Sequence, residues 1–191
     1  GMIKPNMATM LAYIATDAAV DDELLHRALT LATEKSFNRI TVDSDTSTND
    51  SVVLIATGAS GVSIDEISFD NFVEHLTKVF TDLAQAIIRD GEGATKFVSV
   101  VIDGAASQAE ALQVAYTIAE SPLVKTALSA SDPNWGRILA AIGRSGVKDL
   151  DVNEVQLLLN SVLIADHGAR ASTYSEDAGK AAMEPEDIEI R

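Results

Sequence analysis

Apolar and polar positions alternate from Thr9 to Thr16 in a run rich in β-branched residues, a period that predicts a strand with Thr9 at its start. The period then changes. Between Asp21 and Phe37, Leu24, Leu25, Ala28, Leu29 and Ala32 recur at helical spacing behind an acidic first turn that suits the positive end of a helix dipole. An amphipathic helix is predicted there, followed by a short strand over Ile40–Val42 and another over Ser51–Thr57 that Gly58 closes.

The clearest pattern lies further on, where Phe69, Phe72, Val73, Leu76, Val79, Phe80, Leu83, Ala84 and Ile87 form one apolar stripe. It predicts a long helix with Ser68 as its N-cap, preceded by a surface loop over Gly58–Ser68 and broken by Gly91 and Gly93. A strand over Phe97–Ile102 follows, then helices over Ser107–Ala119 and Leu123–Ala130 separated by Pro122, which lacks a backbone donor. Trp135–Ile142 predicts a third helix. Val155–Leu159 and Val162–Ala165 flank Asn160-Ser161 as a hairpin, Tyr174–Met183 forms a short helix, and Glu186–Arg191 begins a strand. Strands and helices in no strict alternation predict α+β layers rather than a doubly wound parallel sheet.

Composition narrows the function classes. With 191 residues, 47% of them hydrophobic and 23% charged, the chain can bury a sizeable core. A formal net charge of −15 repels phosphate backbones, so no nucleic acid and no anionic membrane surface is expected as a partner; small cationic or zwitterionic ligands fit better. No cysteine is present, which removes disulfides, thiolate catalysis and sulfur-ligated metals. His26, His75 and His167 lack metal-ligand spacing, and no metal site is expected. No apolar run reaches the roughly 20 residues of a bilayer span, and the default compartment is the cytoplasm.

Several polar stretches admit a plain reading. Asp43–Asp50 is a dense loop of short oxygen-bearing side chains that can bond neighbouring backbone; it has neither the central glycine nor the terminal glutamate of an EF-hand. Asp90–Lys96 is glycine-rich but lacks the full phosphate-loop pattern and follows a helix rather than a strand. Within it, Glu92 reads as an exposed loop acid, and Lys96 as a structural or rim residue. In Asp132-Pro133-Asn134-Trp135-Gly136-Arg137, Asp132 or Asn134 caps a helix, Trp135 anchors it, and Arg137 is either structural or near a carboxylate substrate. On these terms Thr9 is an ordinary strand-start threonine.

Taken as words, four of these segments say more. Gly1-Met2-Ile3-Lys4-Pro5-Asn6-Met7-Ala8-Thr9 followed by Met10–Ala18, then Val42–Asp50, Asp90–Lys96 and Asp132–Arg137, occur in one order over nearly the whole chain. In them the chain resembles the glutamate N-acetyltransferase/ornithine acetyltransferase family of arginine biosynthesis, in its β portion with the end of the α portion attached. One departure is Ser44, where the family has glycine.

The resemblance implies a layered α/β sandwich of the self-cleaving ornithine acetyltransferase/aminopeptidase type, with a smaller C-terminal α+β domain. Residues 1–97 would carry the nucleophile and bind substrate, and residues 98–191 would form a truncated C-terminal domain. It also implies cleavage between Ala8 and Thr9, after which Thr9 is the catalytic nucleophile and touches substrate. Its own freed α-amine, of reference pKa about 7.7 to 8, would serve as general base. Glu92 is implied to contact the amino-acid substrate.

The implied reaction moves acetyl from N-acetylornithine to glutamate through a threonine acyl-enzyme, with no cofactor and with acetyl-CoA a possible further donor. The implied partners are the α chain of the same precursor, in an α2β2 heterotetramer, and the two amino acids. A Thr-Gly oxyanion pair and a substrate lysine would come from the α portion, and an Asn and a Thr from a further tail. The isolated chain, with Ala8 still joined to Thr9, is therefore expected to lack transferase activity. The alternatives are a related self-cleaving aminopeptidase or amidase, and a catalytically silent β portion that acts only with a partner chain.

Overall fold

A computed structural model of the chain describes residues 10–45 and 49–191. The chain divides into two units, Gly1–Glu92 and Gly93–Arg191, so Phe97 belongs to the second.

In the first unit, β1 (Leu11–Thr16) is followed by the two-residue β2 (Ala19–Val20) and by α1 (Asp22–Lys35). Asp21 caps α1 by accepting the Glu23 N–H on Oδ1 at 2.9 Å, and Asp22 and Glu23 face the positive end of its dipole. The helix ends where the buried Ser36 hydroxyl donates to the Ala32 carbonyl at 2.6 Å. Next come β3 (Ser51–Ala56), β4 (Ser63–Ile64) and the long α2 (Phe69–Arg89).

β1 and β3 run parallel, with Leu11 opposite Ser51 and Thr16 opposite Ala56, and β2 pairs with β4 in a second parallel ladder. The strand alternation is real: Met10, Ala12 and Ile14 are buried, while Leu11 and Tyr13 are exposed. The inward set joins Leu54 and the buried faces of α1 and α2 in one core. Ala28 and Ala32 are fully buried, and such small side chains let α1 come close to α2. Phe37 and Phe80 meet edge to face in this core, centroids 5.6 Å apart at 65°.

Four expectations need correction here. The strand begins at Leu11; Thr9 lies outside the described residues. Ile40–Val42 is no strand: it follows a single 3-10 turn over Phe37–Arg39 and has no place in the ladder, since β1 takes β3 as its neighbour. β-branched composition without a partner strand does not make a sheet. The Gly58–Ser68 stretch is not wholly loop, because Ser63–Ile64 pairs with Ala19–Val20. Finally, Ser68 makes no side-chain cap to α2; the Asp65 carboxylate instead accepts from the Ser68 N–H at 2.9 Å and its hydroxyl at 2.7 Å. Of the α2 stripe, Phe69, Val73, Leu76, Phe80 and Ala84 are buried, whereas Val79 and Leu83 are exposed.

In the second unit, β5 (Phe97–Val100) precedes three helices, α3 (Gln108–Ala119), α4 (Pro122–Ser129) and α5 (Trp135–Gly143). Pro122 opens α4 rather than merely ending its predecessor, occupying a first-turn position where its missing N–H costs nothing. Then follow β6 (Leu157–Leu159), β7 (Val162–Asp166), the short β8 (Ala169–Arg170), α6 (Glu176–Ala182) and β9 (Asp187–Ile190). The sheet order is β5-β9-β6-β7-β8, with β5 and β9 parallel and the rest antiparallel. The β6–β7 hairpin turns at Asn160, whose φ of 52 is left-handed, a conformation asparagine tolerates. Ile118, Val124, Leu157, Leu159, Ile164, Met183, Ile188 and Ile190 fill the core. The whole is an α+β fold, as the mixed order of elements predicts.

Candidate functional site

The junction residues Ala8 and Thr9 lie outside the described residues, as do Thr46, Ser47 and Thr48 of the polar loop. The frame on which Thr9 is carried is described. Met10, the next residue, is buried, and its carbonyl accepts the Ser51 N–H at 2.7 Å. The parallel register that sets Leu11 opposite Ser51 brings Asp50 beside Met10.

Asp50 is chemically unusual. Both carboxylate oxygens are shielded from solvent, and neither has a hydrogen-bond partner of ordinary geometry among the described residues. Burial holds its carboxyl above the usual carboxylate range, and the nearby Met10 backbone N–H offsets only part of that rise. Elsewhere in the loop Asp43 accepts the Asp45 N–H at 3.0 Å, which is turn chemistry. Ser44 has φ 77, in the left-handed region that favours glycine. Among the described residues no group of three or more acidic or histidine side chains could hold a metal ion.

Glu92 stands in the exposed turn after α2, between Asp90, which closes the helix through its backbone N–H, and Gly93. Gly93 has φ 71, and a Cβ there would meet nothing within 4 Å, so backbone conformation alone calls for glycine. The structure thus brings Asp50 to Met10 and leaves Glu92 on a different element. Lys96 has a structural role: its ammonium donates to the carbonyls of Met183 at 2.8 Å, Glu184 at 3.2 Å and Pro185 at 2.9 Å.

The Asp132–Arg137 word is equally structural. Asn134 Oδ1 accepts the Arg137 N–H at 3.1 Å and caps α5, and Asn134 Nδ2 donates to Asp132 Oδ2 at 3.0 Å. Arg137 Nη1 donates to the Leu123 carbonyl at 3.0 Å and to Thr126 Oγ1 at 2.9 Å, tying α5 to α4.

An open groove of about 470 Å³ in the first unit is lined by Ala19, Val20, Asp21, Thr57, Gly58 and Ser63, among others. It lies at the C-terminal end of β1 and β3, roughly 20 Å along the strands from Met10. Asp50 was read from the sequence as one acid of a hydrogen-bonded polar loop, and the shielding of both its oxygens is what that reading did not contain. Its one signal was position, an acid immediately before an apolar strand.

The described residues therefore define an α+β protein whose characteristic words lie on a strand end, turns and a helix cap. The chain belongs to the ArgJ family, whose pattern matches residues 1–191. It is 55% identical over 197 aligned residues to the arginine biosynthesis bifunctional protein ArgJ of Pseudomonas fluorescens, covering 100% of this chain and 48% of that protein. The protein of the same description from Neisseria meningitidis serogroup B is 52% identical, again over 100% and 48%. The crystal structure of arginine biosynthesis bifunctional protein ArgJ from Bacillus halodurans superposes with a TM-score of 0.89 at 40% identity, covering 95% of this chain and 86% of that one. The chain spans about half the length of the curated relatives it matches.

Proposed function

We propose that this chain is the nucleophile-bearing part of an acetyltransferase that moves acetyl from N-acetylornithine to glutamate in arginine biosynthesis. The observation that carries the reading is family membership over every residue, including the Ala8-Thr9 word. In maturation the Thr9 hydroxyl attacks the Ala8 carbonyl, the C–N bond breaks, and the resulting ester is hydrolysed, leaving a carboxylate on Ala8 and a free amine on Thr9. In turnover that amine takes the hydroxyl proton, Thr9 Oγ accepts the acetyl group and ornithine departs with the proton. Glutamate's amine then takes the acetyl and restores Thr9. Glu92 pairs with a substrate ammonium group, as a carboxylate beside permissive glycines can. Acetyl-CoA is a further possible donor in the first half-reaction.

The oxyanion donors come from the α portion of the same precursor, and losing one such donor costs about 10² to 10³ in rate. Two observations support a partner portion. Leu11, Tyr13 and Ile55 expose 62%, 67% and 46% of their surface on the outer face of the β1–β3 pair, an apolar face of the kind partners cover. The Bacillus halodurans chain is close to this one in length, whereas the curated relatives are about twice as long, as separate α and β chains would give. An α2β2 assembly in the cytoplasm completes the proposal.

The test uses the full-length precursor. Wild type is expected to yield a chain beginning at Thr9 by mass spectrometry and to transfer acetyl with ping-pong kinetics, and Thr9→Ala to do neither. Hydrolysis of peptide amides without transfer to glutamate would favour the aminopeptidase or amidase reading. Unchanged transfer by Thr9→Ala would leave a silent β portion.

A further inference from the structure

α2 is closed before the chain reaches Glu92: the Asp90 N–H donates to the Ala86 carbonyl at 3.0 Å and the Gly91 N–H to the Ile88 carbonyl at 3.2 Å. A left-handed glycine often ends a helix directly after its cap. Here the positive φ falls not at Gly91, which follows the Asp90 cap, but at Gly93, with φ 71. Packing does not call for glycine there either, since a Cβ on Gly93 would meet nothing within 4 Å. What glycine supplies at this position is a backbone state, and it supplies it next to Glu92.

The φ of Gly93 and the ψ of Glu92 rotate the two sides of one rigid peptide plane. A residue with a side chain at 93 escapes the left-handed region most cheaply by flipping that plane, and the flip changes ψ at Glu92. The rotamers open to a side chain depend on its own φ and ψ. We propose that Gly93 is a positioning residue for Glu92: its left-handed state holds the Glu92–Gly93 peptide in the orientation from which the Glu92 carboxylate meets the substrate ammonium group. The inference rests on the reading of Glu92 as a substrate contact. No bond forms or breaks in this role, and no proton moves. A residue with a Cβ disfavours the left-handed state by about 5- to 30-fold. Where only a fraction of molecules holds the competent state, apparent affinity falls by that fraction.

The experiment compares the full-length precursor as wild type, Gly93→Val, Gly93→Ala, Gly93→Asn and Glu92→Gln, by melting and by steady-state transfer kinetics. The valine and alanine variants are expected to melt cooperatively, because the added atoms meet nothing, and to raise KM for the amino-acid substrates by about 5- to 30-fold with kcat within about threefold of wild type. Asparagine tolerates the left-handed state, so Gly93→Asn is expected to rescue KM to within about threefold of wild type. Should the valine variant fail to fold, the alanine variant carries the test.

Four outcomes overturn the proposal: wild-type KM in folded Gly93→Ala, a lowered kcat with KM unchanged, a KM for Gly93→Asn as high as for Gly93→Ala, or loss of the cooperative transition in Gly93→Ala. The last would make Gly93 a purely structural glycine. If Glu92→Gln keeps the wild-type KM, the reading of Glu92 fails whatever Gly93 does; if Glu92→Gln raises KM and Gly93→Ala does not, only the role of Gly93 falls.

Discussion

The Lys96 ammonium donates to the Met183 carbonyl at 2.8 Å across 87 residues of chain. With Glu184 and Pro185 it meets three successive carbonyls, and an ammonium has three protons to give. The clamp sits where β5 and β9 begin to pair, since the Phe97 N–H donates to the Glu186 carbonyl at 2.9 Å. Lys96→Met keeps the aliphatic stem and removes the donors. It is expected to destabilise the second unit by about 2 kcal/mol, as charge-assisted bonds do when their acceptors stay behind, without altering KM for either substrate. Urea unfolding beside steady-state kinetics checks this, and a raised KM at wild-type stability would return Lys96 to the substrate rim.

Phe80 is fully buried and meets Phe37 edge to face. Phe80→Ala should cost about 3–5 kcal/mol, the range for deleting a core aromatic whose surroundings cannot collapse. Two-unit unfolding followed by hydrogen exchange should localise the loss to α1 and α2.

Ser44 holds φ 77, a backbone state that costs an L residue roughly 1 kcal/mol or more and glycine almost nothing. Ser44→Gly is therefore expected to stabilise by about 0.5 kcal/mol, the gain being trimmed by glycine's greater freedom in the unfolded chain. A rise in the urea midpoint with unchanged slope is the expected signature. A fall would mean that the serine's own bonds outweigh the strain.

His167 donates from Nδ1 to the Asn153 carbonyl at 2.7 Å, and that bond, then Asp166, then Glu154, hold its pKa above 6.5. A raised histidine adds stability that is fully present below the unfolded pKa and fades as pH rises through the folded one. An imidazole titration by NMR should place its midpoint above 6.5. His167→Gln should abolish the part of the stability change that this ring contributes as pH rises from 6.5 through its raised folded value.

How much of this was legible in the chain varies with the physics of each element. The α2 stripe could be read because burial of Phe69, Val73, Leu76, Phe80 and Ala84 imposes a helical period over several turns. Val79 and Leu83 share that period but lie at its margin, and exposure there depends on what packs alongside. Ile40–Val42 was misread because strand propensity says nothing about whether a partner strand is in reach. The β2 and β4 ladders are two residues long, too short to carry any period. At the site, the Ala8-Thr9 junction was legible only as a resemblance to a family, since a threonine before an alternating run carries no chemical signature of its own. Asp50 was hidden for another reason: its isolation from solvent is created by a register between strands 40 residues apart in sequence.

The place of β9 in its sheet, between β5 and β6, has a consequence for synthesis. Each neighbour was translated earlier, yet neither can complete its pairing until Asp187–Ile190 has left the ribosome. At about 5–20 residues per second, the helices and hairpin of the second unit wait several seconds with a central strand missing. The strand pairs of the first unit, β1 with β3 and β2 with β4, are all available once Ile64 has emerged, well before that unit ends at Glu92. Folding on the ribosome should thus proceed in two stages, with the second unit the one that chaperones and proteases meet half-built.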